Sequence, residues 1–271
     1  MLKAIIIGQG LAGSILAWEL HQRRHQVLIV DNGHRTSASI VAAGMVNPVQ
    51  GQRLNLAWRA EECLPRSQAF FDTMAKKFGR TFFHETSILR LINNEQENEF
   101  LAKRREDDRF APYLGHNHAP SASREISDGH GGLFINQSGY VEIRPLLESL
   151  RDYFRVEGIL CDTEFDHADV SITTEKVSWR EFEAEQIIFA EGWRVLENPW
   201  FREFNFQPNK GEILTLGADR EFPEHPINRG KWIIPRNNGT VWVGSTYGRG
   251  QTDASATDAA RDEIMEKVAA I

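Results

Sequence analysis

Two short apolar runs enclose a glycine-rich turn and an amphipathic segment within the first 31 residues. Lys3–Ile7 has the composition of a buried strand, and the segment GQGLAG at residues 8–13 follows it without a gap. Ser14–Arg24 repeats apolar residues at helical spacing, Val27–Val30 is a second strand-like run, and Asp31 closes it. This order predicts a βαβ unit of the kind that binds dinucleotides.

Each part of this unit has a physical reason to be where it is. Gly8 permits the tight turn, Gly10 lets the backbone approach a pyrophosphate, and Gly13 allows close helix–strand packing. The helix N-terminus offers N–H groups and partial positive charge to phosphates. Asp31 can accept hydrogen bonds from ribose hydroxyls, and its charge disfavours a 2′-phosphate, so we do not expect NADP. A purely structural glycine turn is the alternative, which the strand, helix and terminal acid disfavour.

Composition limits the class of protein and of partner. The chain has 271 residues, 41% hydrophobic and 25% charged, with a formal net charge of −7. This balance gives no reason to expect nucleic acid or an anionic membrane as partner. Only Cys63 and Cys161 are present, so a disulfide framework is not expected, and a reducing, cytoplasmic location fits. No apolar run approaches the length of a membrane span.

Beyond the βαβ unit, the pattern changes along the chain. We expect a helix over Leu54–Phe78 that is interrupted near Pro65, a strand pair or strand-rich segment over Thr81–Ile92, and a long loop over Gly115–Gly132. His116, His118 and His130 lie in that loop, but their spacing does not support a metal site, so no metal is expected.

The order of elements predicts an α/β fold, α+β overall, in which a Rossmann-like nucleotide-binding domain is interrupted by a strand-rich domain. We assign residues 1–80 and 138–200 to the nucleotide-binding domain. Residues 81–137 and 201–271 are assigned to the second domain.

Several motifs occur in an order that resembles one enzyme family. They are GQGLAG with Asp31, RTSAS followed by AAGM, SGYVEIRPLLESL, QIIFAEG and WIIPRNNGTVWVGSTY. Together they resemble the D-amino-acid oxidase/glycine oxidase superfamily of FAD enzymes over nearly the whole chain. An NAD-linked dehydrogenase would share the first motif and is not expected to have the others.

The resemblance implies FAD as cofactor and a set of cofactor-binding residues. In this family the βαβ unit binds the ADP half, and the small-residue run binds the ribityl and isoalloxazine part. A later strand clamps the adenine, and the QIIFAEG turn approaches the phosphates. The implied cofactor-binding residues are Gly8, Gly10, Leu11, Ala12, Gly13, Asp31, Asn32, Arg35, Ser39, Ala43, Gly44, Met45, Val170, Ala190 and Gly192.

Some positions depart from the family pattern. Glu191 stands where relatives have a small or neutral residue, and a carboxylate beside a pyrophosphate is repulsive, so we expect its side chain to point away. Trp232 and Tyr247 match the substrate pocket, but Trp232 is bulkier than the usual tyrosine and lacks its hydroxyl. Two core aromatic residues are the alternative reading. Arg236 can bind a carboxylate or serve a structural role.

Family members continue beyond the position that matches Ile271, in a section that supplies an arginine for the substrate carboxylate. We therefore expect this sequence to be truncated at its C-terminus, and to hold FAD weakly or not at all.

The resemblance implies oxidation of the amine of a small amino acid or an N-substituted glycine, by hydride transfer to flavin. No residue is assigned as catalytic acid or base, and the expected partner is a small-molecule amine. Three alternatives stay open: a flavin domain acting on a modified tRNA wobble uridine, an NAD-linked dehydrogenase, and a nucleotide-binding module without catalysis.

Overall fold

The computed structural model describes residues 1–34, 37–120, 126–217, 224–236 and 238–271. Contacts divide the chain into two compact units, each built from two stretches. Unit 1 comprises Met1–Ala42 and Ile143–Pro208, and unit 2 comprises Ala43–Glu142 and Asn209–Ile271.

The described residues form helices and strands, and most of the strands are short. The helices are α1 (Leu11–Gln22), α2 (Ala60–Phe78), α3 (Glu95–Arg105), α4 (Ile143–Val156) and α5 (Asp258–Ala269). The strands are β1 (Leu2–Ile7), β2 (Val27–Asp31), β3 (Met45–Val46), β4 (Val49–Gln50), β5 (Asn55–Leu56), β6 (Phe83–Glu85), β7 (Ile88–Leu91), β8 (Leu114–His118), β9 (Gly132–Ile135), β10 (Gly139–Val141), β11 (Leu160–Asp162), β12 (Val170–Ile172), β13 (Val177–Trp179), β14 (Phe182–Phe189), β15 (Asn209–Lys210), β16 (Ile213–Gly217), β17 (Ile227–Arg229), β18 (Lys231–Pro235), β19 (Thr240–Gly244) and β20 (Gly248–Arg249).

Unit 1 is built on a six-stranded sheet in the order β11-β2-β1-β14-β13-β12. The first four strands are parallel, and β13 and β12 continue the sheet as an antiparallel meander. Helix α1 connects β1 to β2, which is the βαβ unit expected from the sequence. Because β1 and β2 are buried in the middle of this sheet, their residues are apolar on both faces.

Helix α4 packs onto unit 1 through one apolar side. Leu146, Leu150 and Phe154 recur every four residues and are fully buried, so they form a single stripe along the helix. Arg151 is also buried, and its guanidinium donates to Gln9 Oε1 and Asp31 Oδ1. The strand ends of β1 and β2 and the helices α1 and α4 thus belong to one packed body.

Unit 2 contains a seven-stranded sheet in the order β16-β19-β18-β17-β7-β9-β8, antiparallel except where β17 pairs with β7. Alternate residues of its strands enter different cores. Ile88 packs in a cluster with Leu133, whereas Leu89 packs in a second cluster with Ile264 of α5. Strands β3, β10 and β6 form a separate antiparallel sheet in this unit.

The unit boundaries differ from the domain boundaries drawn on the sequence. Residues 43–80 and 138–142 belong to unit 2, and residues 201–208 belong to unit 1. The physical reason for the first difference is the core. Leu54 and Ala60 are buried in the same cluster as Ile88, so this stretch folds onto the strands of unit 2.

One expected helix differs from expectation in its start and in its continuity. The helix expected over residues 54–78 begins only at Ala60, because Asn55–Leu56 pairs with β4. Pro65 lies inside α2 without ending it. A proline removes one backbone hydrogen bond, and the helix continues to Phe78 across that loss.

Residues 81–92 are rich in strands, as one of the two expected alternatives has it, whereas the region 115–132 differs from expectation. Strands β6 and β7 both form, but they belong to different sheets and do not pair with each other. The expected loop over 115–132 contains most of strand β8, which pairs with β9 through a register shift. Along the described ranges of the chain, no helix combines the length and apolarity that a membrane crossing requires.

Candidate functional site

The glycine turn of unit 1 leaves no room for side chains at two positions. Gly8 has a φ of +98°, and a Cβ there would lie 2.6 Å from the carbonyl oxygen of Ala190. A Cβ on Gly13 would lie 1.9 Å from the carbonyl oxygen of Gly8. The turn therefore brings the end of β1, the start of α1 and the end of β14 into direct backbone contact.

A cavity of about 630 Å³ opens at this turn, and all its lining residues belong to unit 1. This volume is in the usual range for small-molecule and cofactor sites. Nine residues that sequence reasoning assigned to the cofactor line it: Gly8, Gly10, Leu11, Ala12, Asp31, Asn32, Ser39, Ala190 and Gly192. Gly13 lies behind the turn, where it allows the close packing described above. Arg35 lies outside the described residues.

The N-terminus of α1 faces this cavity with little capping of its own. Gly10 is the N-cap residue and supplies no side-chain hydrogen bond, whereas the Leu11 amide donates to Ser39 Oγ at 3.1 Å. The first-turn amides of a helix need acceptors from outside the helix. The amides of Gly10 and Ala12, which line the cavity, thus suit a phosphate acceptor, whereas the Leu11 amide already has Ser39 Oγ as its acceptor.

Asp31 is held by three donors from unit 1. Its Oδ2 accepts from the Gln9 amide at 2.9 Å, and its Oδ1 accepts from the Gly33 amide at 2.8 Å and from Arg151 Nη1 at 2.7 Å. Arg151 Nη2 also contacts Asp162 Oδ1 at 2.7 Å, and this contact lowers the pKa of Asp162. Asp31 is therefore fixed in orientation and shares a cation with Asp162.

Glu191 lines the cavity, yet both of its carboxylate oxygens are held by neighbours. Oε1 lies 2.8 Å from His167 Nε2, and Oε2 accepts from Asn198 Nδ2 at 2.8 Å. The Glu191 side chain is only 6% exposed. His167 also lines the cavity, where its ring stacks on Phe189 with centroids 6.0 Å apart. The sequence led us to expect that the Glu191 side chain points away from a pyrophosphate. In the structure, two hydrogen bonds hold its carboxylate in place.

Val170, which the family resemblance assigns to the adenine, is not among the residues that line the cavity. It begins β12 opposite Trp179 and packs in the apolar core of the sheet. Thr163, Glu164 and Phe165, which precede it, line the cavity instead. A short 3₁₀ turn at His167–Asp169 separates the two segments. Residues only a few positions apart in sequence therefore lie at the cavity or in the core.

Sequence reasoning also missed Arg194, which lines the cavity directly after Gly192 and Trp193. Its Nε is buried without a hydrogen-bond partner among the described residues. Arg194 Nη1 lies 3.7 Å from Glu164 Oε1, which is an ion pair too long for a hydrogen bond. Its position immediately after the predicted phosphate-facing turn was the sequence signal that could have indicated it.

The small-residue run assigned to the flavin lies in unit 2. Gly44 has a φ of +69°, and a Cβ there would lie 2.1 Å from the Val141 carbonyl oxygen. Met45 pairs with Tyr140 across β3 and β10. The backbone at Gly44 therefore lies close to strand β10, and both belong to unit 2. Ala43 precedes Gly44 and is half-buried.

The substrate-pocket candidates lie on β18 and just after β19. Trp232, Ile234 and Arg236 alternate along one face, opposite the face that packs on Ile264 of α5. A Cβ on Gly244 would meet Trp232 Cζ2 at 2.9 Å. The Trp232 side chain is half-buried. Tyr247 is 71% exposed, with its ring 6.0 Å from Lys231 Nζ.

Arg236 is enclosed by groups of unit 2. Its Nη2 donates to Glu142 Oε1 at 2.8 Å, and its guanidinium lies 4.0 Å from the Trp242 ring centroid and 4.9 Å from that of Tyr140. The side chain is 9% exposed. Its Nη1 is buried and finds no partner in the described part of the chain. These contacts favour the structural alternative for Arg236, while its Nη1 retains donor capacity among the described residues.

A family model described as FAD dependent oxidoreductase (DAO) matches residues 3–271. The chain is 24% identical to the uncharacterized oxidoreductase YurR of Bacillus subtilis, covering 100% of this chain and 78% of YurR. It is 24% identical to the bifunctional tRNA 5-methylaminomethyl-2-thiouridine biosynthesis protein MnmC of Shewanella amazonensis, covering 97% of this chain and 41% of that protein.

Among solved structures, the glycine oxidase of Bacillus cereus has a similar fold. It superposes with a TM-score of 0.80 at 20% identity, covering 100% of this chain and 80% of that protein. At 20% identity, this similarity is evidence for a shared fold alone.

Proposed function

The chain belongs to the DAO family of FAD-dependent oxidoreductases, and we propose that it oxidises the amine of a small amino acid or of an N-substituted glycine. The observation that carries the cofactor part is the unit 1 cavity at the glycine turn. The amine class is supported by the glycine oxidase fold and by the aminomethyl chemistry named for the MnmC relative.

The residues of unit 1 fit the ADP half of FAD. Gly8 and Gly13 let the backbone approach closely, and the amides at the start of α1 suit the diphosphate. Asp31, held by Arg151, is placed to accept from ribose hydroxyls. We assign the adenine to the segment that contains Phe165, rather than to Val170, because only the former lines the cavity.

FAD, when bound, supplies the hydride acceptor for the carbon next to the amine. The chain's own part is to bind, orient and keep water away. In unit 2, Trp232, Ile234 and Trp242 present an apolar face of the kind that excludes water, and we propose Trp232 and Tyr247 as substrate-binding residues. No acid or base residue is assigned.

The first test is a visible absorption spectrum of the purified chain, before and after incubation with FAD and desalting. A retained flavin spectrum supports the cofactor site and contradicts the expectation of weak binding. A panel of glycine, N-methylglycine, proline and D-alanine, assayed with oxygen and with a dye acceptor, then tests the amine class. If FAD is retained and no amine on the panel reduces it, the amine part of the proposal fails.

A second candidate is action on an aminomethyl group of a tRNA wobble uridine. The MnmC relative, which aligns with 97% of this chain, favours it, and the net charge of −7 opposes it. Filter binding of tRNA across a salt titration separates the two. Salt-dependent tRNA binding supports this candidate, whereas its absence together with turnover of free amines excludes it.

A further inference from the structure

The cavity of unit 1 is acidic for a site that receives a diphosphate. Among its described lining residues are four carboxylates, Asp31, Glu164, Glu191 and Glu197, but a single lysine or arginine, Arg194. A diphosphate adds further negative charge to the same space, so carboxylates there oppose its binding. A hydrogen-bond donor with positive charge in the cavity would offset this repulsion.

Two of the four carboxylates are already engaged by other groups. Asp31 is paired with Arg151, and Glu191 is held by His167 and Asn198. Arg194 is not engaged in the same way. Glu164, its ion-pair partner at 3.7 Å, has a side chain that is 73% exposed, so solvent weakens that interaction.

The guanidinium of Arg194 has a hydrogen-bond donor without an acceptor among the described residues. Its Nε is buried and has no hydrogen-bond partner in the described ranges. Its guanidinium lies 5.8 Å from the centroid of the Trp193 ring, and its side chain is 38% exposed at the cavity. Leaving a buried cationic donor unsatisfied is costly, and a ligand oxygen would remove that cost.

We propose that Arg194 directly binds the diphosphate of the cofactor, an inference that rests on the FAD function proposed above. A guanidinium can make two parallel hydrogen bonds to phosphate oxygens, which an ammonium cannot reproduce. Arg194 then exchanges its long contact with Glu164 for charge-assisted hydrogen bonds to the ligand. It thereby offsets the carboxylates that line the cavity.

The test measures nucleotide affinity of the full chain and of Arg194→Gln and Arg194→Lys. ADP binding is measured by calorimetry, with adenosine as the ligand that lacks phosphate and FAD as the complete cofactor. Arg180→Gln is the matched control. Arg180 lies in the same unit and pairs with Asp169 at the surface, but it does not line the cavity.

Arg194→Gln is expected to weaken ADP and FAD about tenfold or more, with adenosine affinity unchanged. Arg194→Lys is expected to recover only part of the lost ADP affinity. In Arg194→Gln, ADP affinity should depend less steeply on salt concentration than in the parent chain. Arg180→Gln should bind like the parent chain. Circular dichroism and urea unfolding establish that each variant is folded.

Other outcomes overturn the proposal in distinguishable ways. If the parent chain binds ADP but Arg194→Gln binds it equally well, Arg194 is not a ligand and the FAD function stands. If adenosine affinity falls as much as ADP affinity, the contact is to the adenosine part and not to phosphate. If the folded parent chain binds neither ADP nor FAD, the proposed function fails, and this inference fails with it.

Discussion

Arg151 Nη1 donates to Asp31 Oδ1 at 2.7 Å, and both side chains are about nine-tenths buried, at 10% and 11% exposure. This contact joins Asp31 at the end of β2, the proposed ribose acceptor, to helix α4. A carboxylate at this depth is tolerated because a guanidinium accompanies it. The pair therefore serves the stability of unit 1 and fixes the acid that faces the cavity.

Replacing Arg151 with methionine should destabilise the chain by about 3 kcal/mol, because it leaves Asp31 buried without its cation. Urea unfolding measures the change. Arg155→Met is the control, since Arg155 is 54% exposed and its surface ion pairs contribute under about 1 kcal/mol. Equal losses in the two variants would contradict a special role for the buried pair.

Introducing a methyl group at Gly13 should disrupt the turn, because its Cβ would lie 1.9 Å from the Gly8 carbonyl oxygen. Gly13→Ala is expected to cost about 1–3 kcal/mol of unfolding free energy and to weaken ADP binding. Gly129→Ala is the control, because a Cβ at Gly129 meets no atom within 4 Å. Retention of parent stability and ADP affinity in Gly13→Ala would show that the turn adapts.

The glycine turn was predictable from the sequence, and the charge arrangement around it was not. Gly8, Gly10 and Gly13 follow a local pattern in which chain order and spatial order coincide. The partner of Asp31 is 120 residues away in sequence, and only the packing of α4 brings it close. No local pattern carries that information.

The position of Val170 outside the cavity lining was hidden from the sequence for a similar reason. A strand and the loop before it can both carry apolar residues, so composition does not show where the cavity ends and the core begins. Phe165 and Val170 both contact the core of unit 1, yet only Phe165 also reaches the cavity. Likewise, the polar composition of residues 115–132 concealed β8, whose stability comes from pairing with β9.

Neutralising Glu191 should strengthen nucleotide binding. Glu191→Gln keeps acceptor and donor atoms for His167 and Asn198 while removing a negative charge from the cavity lining. ADP affinity is therefore expected to rise about three- to tenfold. Calorimetry with ADP measures it, and Glu185→Gln, an exposed residue paired with Lys3, provides the control. A loss of affinity would indicate that the carboxylate itself orders the site.

Acid sensitivity of unit 2 should depend in part on His84. Its ring stacks on Tyr140 at 4.8 Å, and its Nε2 is buried without a hydrogen-bond partner among the described residues. Burial lowers the pKa of His84, while Glu142 opposes this and Arg236 adds to it. The folded state thus takes up the proton less readily than the unfolded chain. Stability from this residue is present above the unfolded pKa of about 6.5, and it is lost as pH falls toward the folded pKa.

His84→Phe keeps an aromatic ring against Tyr140 and removes the titration. Between pH 7.5 and pH 5, it should lose less unfolding free energy than the parent chain, with a difference below about 1 kcal/mol because His84 is 23% exposed. Urea unfolding at several pH values measures it. His25→Phe, at an exposed position after α1, is the control for replacing a histidine with phenylalanine. If His84→Phe follows the parent profile as well, burial of His84 does not contribute to the acid sensitivity of this unit.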